Sequence, residues 1–166
     1  MHMVGEGPMK NNPAMITFES VEDALAFAVS KEASAHDFYS DLAERTTDEV
    51  SRKLFTELAA EEMEHKEKIE LEIIKRGRVV PLPPSDKRPT VISVQAVDEI
   101  PADLAYPEAL MLAIRKEEAS FRLYVGLLPF VADSETYEVL ISLAEEEARH
   151  KMLFEQILNA RSTRYR

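Results

Sequence analysis

The run Leu143-Ala144-Glu145-Glu146-Glu147-Ala148-Arg149-His150-Lys151 has a near copy earlier in the chain, Leu58-Ala59-Ala60-Glu61-Glu62-Met63-Glu64-His65-Lys66. In each run a Glu is followed three residues later by a His. Three residues of α-helix turn about 300° and rise about 4.5 Å, so both side chains leave one face of the helix. A carboxylate and an imidazole placed that way can hold one metal ion between them.

Working outward, both pairs lie in apolar seams spaced alternately by three and four, the pattern of a helix that buries one stripe. The earlier seam is Phe55, Leu58, Glu62, His65 and Ile69, opened by the capping-box pattern Thr46-Thr47-Asp48-Glu49 and stopped at Gly77. The later seam is Leu140, Leu143, Glu147, His150, Phe154 and Ile157, capped by Asp133. Each is preceded by another helix. Ser20 caps one that runs to about residue 45, with seam Leu25, Ala28, Glu32, Ala35, Tyr39 and Leu42. Pro107 suits the first turn of the other, with seam Leu110, Ala113, Glu117, Ser120, Tyr124 and Leu127, and Pro129 ends it.

The reading is all-α: a four-helix bundle at 20–161 made of the helix pairs 20–76 and 107–161. The Pro-rich segment 77–106 is too long for a tight turn, but it can climb the bundle and join two parallel helices. Residues 1–19 read as a loose arm and 162–166 as a tail.

The halves superimpose at one offset. Glu32/Glu117, Tyr39/Tyr124, Glu62/Glu147 and His65/His150 are all 85 residues apart, as are Leu42/Leu127, Asp48/Asp133, Leu58/Leu143 and Lys66/Lys151. A single Glu-x-x-His on an acidic helix is usually a solvated face; a lone Glu, a Tyr and the pair repeating in register are not so easily explained. The six candidate ligands are Glu32, Glu62, His65, Glu117, Glu147 and His150. All occupy seam positions among Leu, Ala and Phe. Burying an unpaired carboxylate costs several kcal/mol, and a domain is stable by only about 5–15 kcal/mol. Two divalent cations would neutralise four carboxylates, and mixed N/O ligation suits iron or manganese. The bland alternative is an ion-paired polar core, against which stands the scarcity of basic residues in the seams.

These residues resemble the ferritin-like di-iron carboxylate proteins, and among them the rubrerythrin-like group, over about residues 20–160. The resemblance implies two iron ions, with Glu62 and Glu147 bridging, Glu32 and Glu117 terminal or semi-bridging, and His65 and His150 each capping one metal. It implies reduction of peroxide or dioxygen with oxidation of ferrous iron. Rubrerythrin carries a further Glu at the position of Ser120 and a four-cysteine rubredoxin domain. Neither is present here, so electrons would come from a separate rubredoxin-like or other donor. A non-catalytic iron-binding or iron-sensing bundle is the second reading, and a metal-free interaction bundle the third. Manganese or a mixed pair fits the same ligands.

Around the six, Tyr39 and Tyr124 are either hydrogen-bond partners of a ligand carboxylate on a different helix or ordinary core tyrosines. Their place seven residues after Glu32 and Glu117 fits both. His36, whose repeat mate is Phe121, reads as a rim histidine in preference to a seventh ligand or proton shuttle. Glu61 and Glu146 either face solvent or orient a His nitrogen of a neighbouring helix, and the first is favoured.

A net charge of −11 argues against nucleic-acid or anionic-membrane binding. The absence of cysteine excludes disulfides, thiolate zinc sites and iron–sulfur ligation. No signal peptide or membrane-length apolar run is visible, so the expectation is a cytoplasmic protein. Apolar outer positions, Val29, Ile74, Val125 and Leu128, point to a homodimer.

Overall fold

The structure is a computed structural model that describes residues 15–78, 90–93 and 105–164. Four helices dominate it: α1 (Val21–Arg45), α2 (Glu49–Arg78), α3 (Tyr106–Leu127) and α4 (Ser134–Arg164). A 3-10 turn, Leu128–Phe130, carries Pro129 and ends α3.

The caps explain most of the boundaries. Ser20 accepts from the Asp23 amide at 3.1 Å, and Asp133 accepts from the Thr136 amide at 2.9 Å. At α2 the cap is Asp48 instead of the expected Thr46. Its carboxylate takes the Ser51 amide at 2.9 Å, while the Thr46 hydroxyl bonds back to the Leu42 carbonyl at 2.6 Å. Asp competes well for an N-cap, and Thr46 is left closing α1. Gly77 does not stop α2, which continues to Arg78; no described glycine has a positive φ, so no left-handed cap forms there.

Each helix runs antiparallel to two neighbours. Tyr39 meets Glu117 and Tyr124 meets Glu32 between α1 and α3; His65 meets Glu146 and His150 meets Glu61 between α2 and α4. α2 and α3 therefore run parallel at opposite corners, the pair that a crossover was expected to join. Most of that crossover (77–106) and most of the arm (1–19) fall outside the described residues. The parts inside hold a feature the sequence reading missed: β1 (Met15–Phe18) pairs antiparallel with β2 (Thr90–Ser93), Met15 opposite Ser93. β2 lies against α3.

Two apolar clusters fill the bundle. The basal one, where α1 begins, holds Leu25, Ile69, Leu123, Leu127, Leu140 and Leu143; the distal one holds Phe38, Leu42, Phe55, Leu58, Leu110 and Phe154. The 85-residue offset exchanges them, carrying Phe38 onto Leu123, Phe55 onto Leu140, Leu25 onto Leu110 and Ile69 onto Phe154. The bundle thus has an approximate internal twofold, and each buried Leu or Phe stabilises it by about 1.5–3 kcal/mol. Basally, Arg76 ties α1 to α4 through Glu22 at 2.8 Å and Asp133 at 2.9 Å. No helix among the described residues is long and apolar enough to cross a membrane.

Candidate metal centre

Between the two apolar clusters, the seam charges converge. Glu32, Glu62, His65, Glu117, Glu147 and His150 are all buried. They form two overlapping groups, Glu32/Glu62/His65/Glu147 and Glu62/Glu117/Glu147/His150, in each of which the nearest ligand atoms lie within 4.8 Å of one another. Glu62 and Glu147 belong to both. The internal twofold passes between them and exchanges one group for the other.

Each imidazole has its Nδ1 turned inward. His65 Nδ1 lies 3.0 Å from Glu147, 3.6 Å from Glu62 and 3.7 Å from Glu32. His150 Nδ1 lies 3.2 Å from Glu62, 3.5 Å from Glu117 and 3.8 Å from Glu147. The rings stack at 5.9 Å between centroids.

The outward nitrogens correct one sequence reading. Glu61 and Glu146 are not simply solvent charges. His65 Nε2 donates to Glu146 at 2.5 Å, and His150 Nε2 donates to Glu61 at 2.5 Å. Each helix of the α2/α4 pair thus supplies the carboxylate that holds its neighbour's imidazole, fixing ring orientation and leaving Nδ1 for the interior. Glu146 is the better shielded, its side chain 24% exposed against 49% for Glu61. Replacing Glu146 by Ala is expected to lower divalent-metal affinity about 10–100-fold, the usual effect of losing such a partner. Glu61→Ala is expected to cost less. Competition with a chromophoric chelator measures both; equal affinity to wild type in Glu146→Ala would contradict the orienting role.

Tyr39 donates its hydroxyl to Glu117, and Tyr124 donates to Glu32. Each tyrosine therefore serves the carboxylate of the other half. Burial, then the nearby carboxylates, push both phenols well above their ordinary value, so both remain protonated donors. His36 is not at the centre: its Nδ1 donates to the Ala59 carbonyl at 2.8 Å, pinning α1 to α2. Ser120 is half-buried.

The electrostatics favour cations. Burial, then the charge of Glu117 and a hydrogen bond with Glu32, push Glu62 up to about 8. Burial and the other carboxylates push Glu147 well above the ordinary range. Burial works against a charge on either His, but hydrogen bonds to the carboxylates outweigh it and raise both. Burial would raise Glu32 as well; hydrogen bonds with Glu62 and His65 hold it low instead. Among the described residues, four buried carboxylate oxygens and His150 Nδ1 lack a well-aligned hydrogen-bond partner; the oxygens are Glu32 Oε2, Glu62 Oε1, Glu117 Oε2 and Glu147 Oε2. Orphaned buried acceptors are rare in native folds. Four carboxylates and two imidazole nitrogens aimed at one volume are the donor set that two divalent cations would satisfy.

A bundle in which each half sends one Glu from its first helix and a Glu-x-x-His from its second to a shared interior has the ferritin-like carboxylate arrangement. The rubrerythrin family model matches residues 23–158, and the chain belongs to that family. The fold is shared with a Thermotoga maritima structure described as a putative ferritin-like diiron-carboxylate protein. That match has 23% identity and a TM-score of 0.67, covering 84% of this chain and 95% of that one. It is shared also with a hypothetical protein of Pyrococcus furiosus, at 20% identity and a TM-score of 0.65, covering 84% and 89%. No curated protein sequence matches the chain.

Proposed function

We propose that the chain is a non-haem di-iron oxidoreductase of rubrerythrin type that reduces peroxide or dioxygen as ferrous iron is oxidised. The observation that carries this is the pair of overlapping buried groups sharing Glu62 and Glu147. Glu32, Glu62, His65 and Glu147 would hold one ion, and Glu62, Glu117, Glu147 and His150 the other, with the shared carboxylates bridging. When bound, a ferrous pair supplies one electron from each ion for cleavage of the O–O bond.

The chain's own part is to bind, orient and exclude water. The Nδ1 protons of His65 and His150 are the ones given up to admit cations, while Nε2–H stays with Glu146 and Glu61. The Tyr39 and Tyr124 hydroxyls fix Glu117 and Glu32 and keep a proton beside each. The apolar clusters above and below keep bulk water from the centre. Electrons for repeated turnover would come from an external donor.

Anaerobic loading with ferrous iron followed by peroxide is expected to give ferric absorption at two irons per chain. A stoichiometry near zero, or loaded iron that peroxide leaves ferrous, overturns the reading. Ser120, where rubrerythrin has a further Glu, favours a second reading as an iron-binding or iron-sensing module. Brisk steady-state consumption of peroxide with a supplied reductant rules that module out.

A further inference from the structure

Four aromatic rings lead out of the centre through the distal cluster. Tyr39, whose hydroxyl holds Glu117, stacks on Phe154 with centroids 5.6 Å apart and planes at 21°. Phe154 stacks on Phe55 at 6.5 Å and 18°, and Phe55 meets Tyr106 edge-on at 6.0 Å. Each step is an ordinary aromatic contact, so the row is continuous from a metal-facing carboxylate to the first residue of α3. Tyr106 is half-buried there, and the Arg161 guanidinium covers its ring at 4.5 Å from the centroid. The internal twofold shows that packing does not require this row. At the common offset Tyr39 maps onto Tyr124, but Phe154, Phe55 and Tyr106 map onto Ile69, Leu140 and Val21. Those aliphatic groups close the basal cluster without rings. The guanidiniums differ too, for Arg76, the mate of Arg161, pairs with Glu22 and Asp133. One tyrosine of the pair is thus joined by rings to the outside of the bundle, and its mate is not.

We propose that Tyr39, Phe154, Phe55 and Tyr106 are the path by which single electrons reach the centre from an external donor, with Tyr106 as the relay at the surface. The proposal rests on the iron reading. Electron counting gives the row its use. Dioxygen takes four electrons and four protons to become two waters, and a ferrous pair supplies two of those electrons. The other two pass singly along the row, and the four protons come from solvent. In each pass Tyr39 gives one electron to the centre and its phenolic proton to Glu117, the carboxylate it already bonds. Tyr106 then gives one electron to Tyr39 across the two Phe rings, Tyr39 recovers its proton from Glu117, and Tyr106 releases its own to water. A one-electron reductant outside the chain restores Tyr106, which takes a proton back from water. Phe55 and Phe154 are not themselves oxidised; they are the packed medium between two oxidisable phenols. Arg161 holds the Tyr106 ring at the end of the row. Peroxide needs only the two electrons that the ferrous pair holds, so it makes no call on the row.

The test mixes the full chain, loaded with ferrous iron, with dioxygen in the absence of reductant. Radicals are read by freeze-quench electron paramagnetic resonance and, in parallel, caught by a nitroso spin trap whose adducts are located by peptide mass mapping. A tyrosyl radical and an adduct on Tyr106 are expected, with none on Tyr137, which is exposed but lies off the row. One equivalent of peroxide without dioxygen is expected to oxidise the iron and leave no adduct. Phe55→Leu with Phe154→Ile, the residues of the mate half, is expected to keep its iron and its helical circular dichroism and to lose the Tyr106 adduct. Tyr106→Phe, which leaves the core intact, is expected to lengthen the life of the radical on Tyr39. Oxidised iron with no Tyr106 adduct, an adduct that survives the double change, equal labelling of Tyr137, or unchanged radical decay in Tyr106→Phe overturns the path and leaves the iron reading standing. So does an equal adduct with peroxide. A chain that loads no iron overturns both.

Discussion

Glu62→Ala is expected to empty both of the proposed metal positions, whereas Glu32→Ala empties one. The difference follows from membership: Glu62 belongs to both ligand groups and Glu32 to one. Removing one partner from a buried ionic cluster costs on the order of 3–5 kcal/mol, a fall of roughly 10²–10³-fold or more in affinity. For Glu62→Ala that loss falls on both positions. Elemental analysis after gel filtration is expected to find close to no metal in Glu62→Ala and close to one per chain in Glu32→Ala. One tightly held metal in Glu62→Ala would mean that the carboxylate does not bridge. Removing the ionisable group has the opposite effect on the metal-free bundle. Glu62 is buried beside Glu117 and Glu147, and keeping a proton on it in the fold costs stability once the unfolded chain has released that proton, so the isosteric Glu62→Gln removes this cost without leaving a cavity. The metal-free melting temperature is expected to rise, by about 2–4 °C for each kcal/mol gained. A variant more stable empty and unable to load is the signature of a site kept at the expense of the fold.

How much was legible in the sequence follows from which interactions are local. The six inward residues could be read because a 3.5-residue seam puts Glu and His among Leu and Phe, and because the 85-residue offset repeats the placement. Ser20 and Asp133 could be read because a cap is decided within three residues. Glu61 and Glu146 could not. They lie one residue off the seam, and whether such a position meets solvent or an imidazole depends on α2 and α4 being neighbours, which no local pattern states. The same signal was present all the same: each precedes a seam Glu, and both sit at the common offset. The tyrosine partners needed the α1/α3 register. The Met15–Phe18 strand pairs with a segment about 75 residues away, and four residues carry too little periodicity to announce a strand. Thr46 and Asp48 each satisfy a cap pattern, and only the competing Thr46–Leu42 bond decides between them.

The metal-free protein is expected to lose stability as pH rises from about 5 to 8, and metal is expected to reverse that slope. The sign follows from proton counts. Glu62, raised by burial first and by Glu117 next to about 8, and Glu147, raised by burial and its carboxylate neighbours, keep protons in the fold that the unfolded chain has released above about 4.5. From about 6.5 upward His65 and His150 do the same, since carboxylate hydrogen bonds raise both against the effect of burial. Where the native state binds more protons, stability falls with pH, by about 1.4 kcal/mol per unit for each proton. Groups held low, such as Glu32 and Asp133, contribute stability already complete above about pH 5 and leave this window unchanged. The empty bundle is therefore expected to lose several kcal/mol between pH 5 and 8, on the order of 10 °C in melting temperature. With divalent metal in excess those protons have to leave for the carboxylates and Nδ1 atoms to ligate, so affinity, and with it stability, grows with pH. Calorimetric melts with chelator and with manganese, which does not oxidise under these conditions as ferrous iron does, are expected to diverge steadily as pH rises. A metal-free melting temperature that is flat or climbs over that span would mean the six side chains do not share one buried volume. Parallel curves would mean that the protons and the metal do not compete for the same atoms.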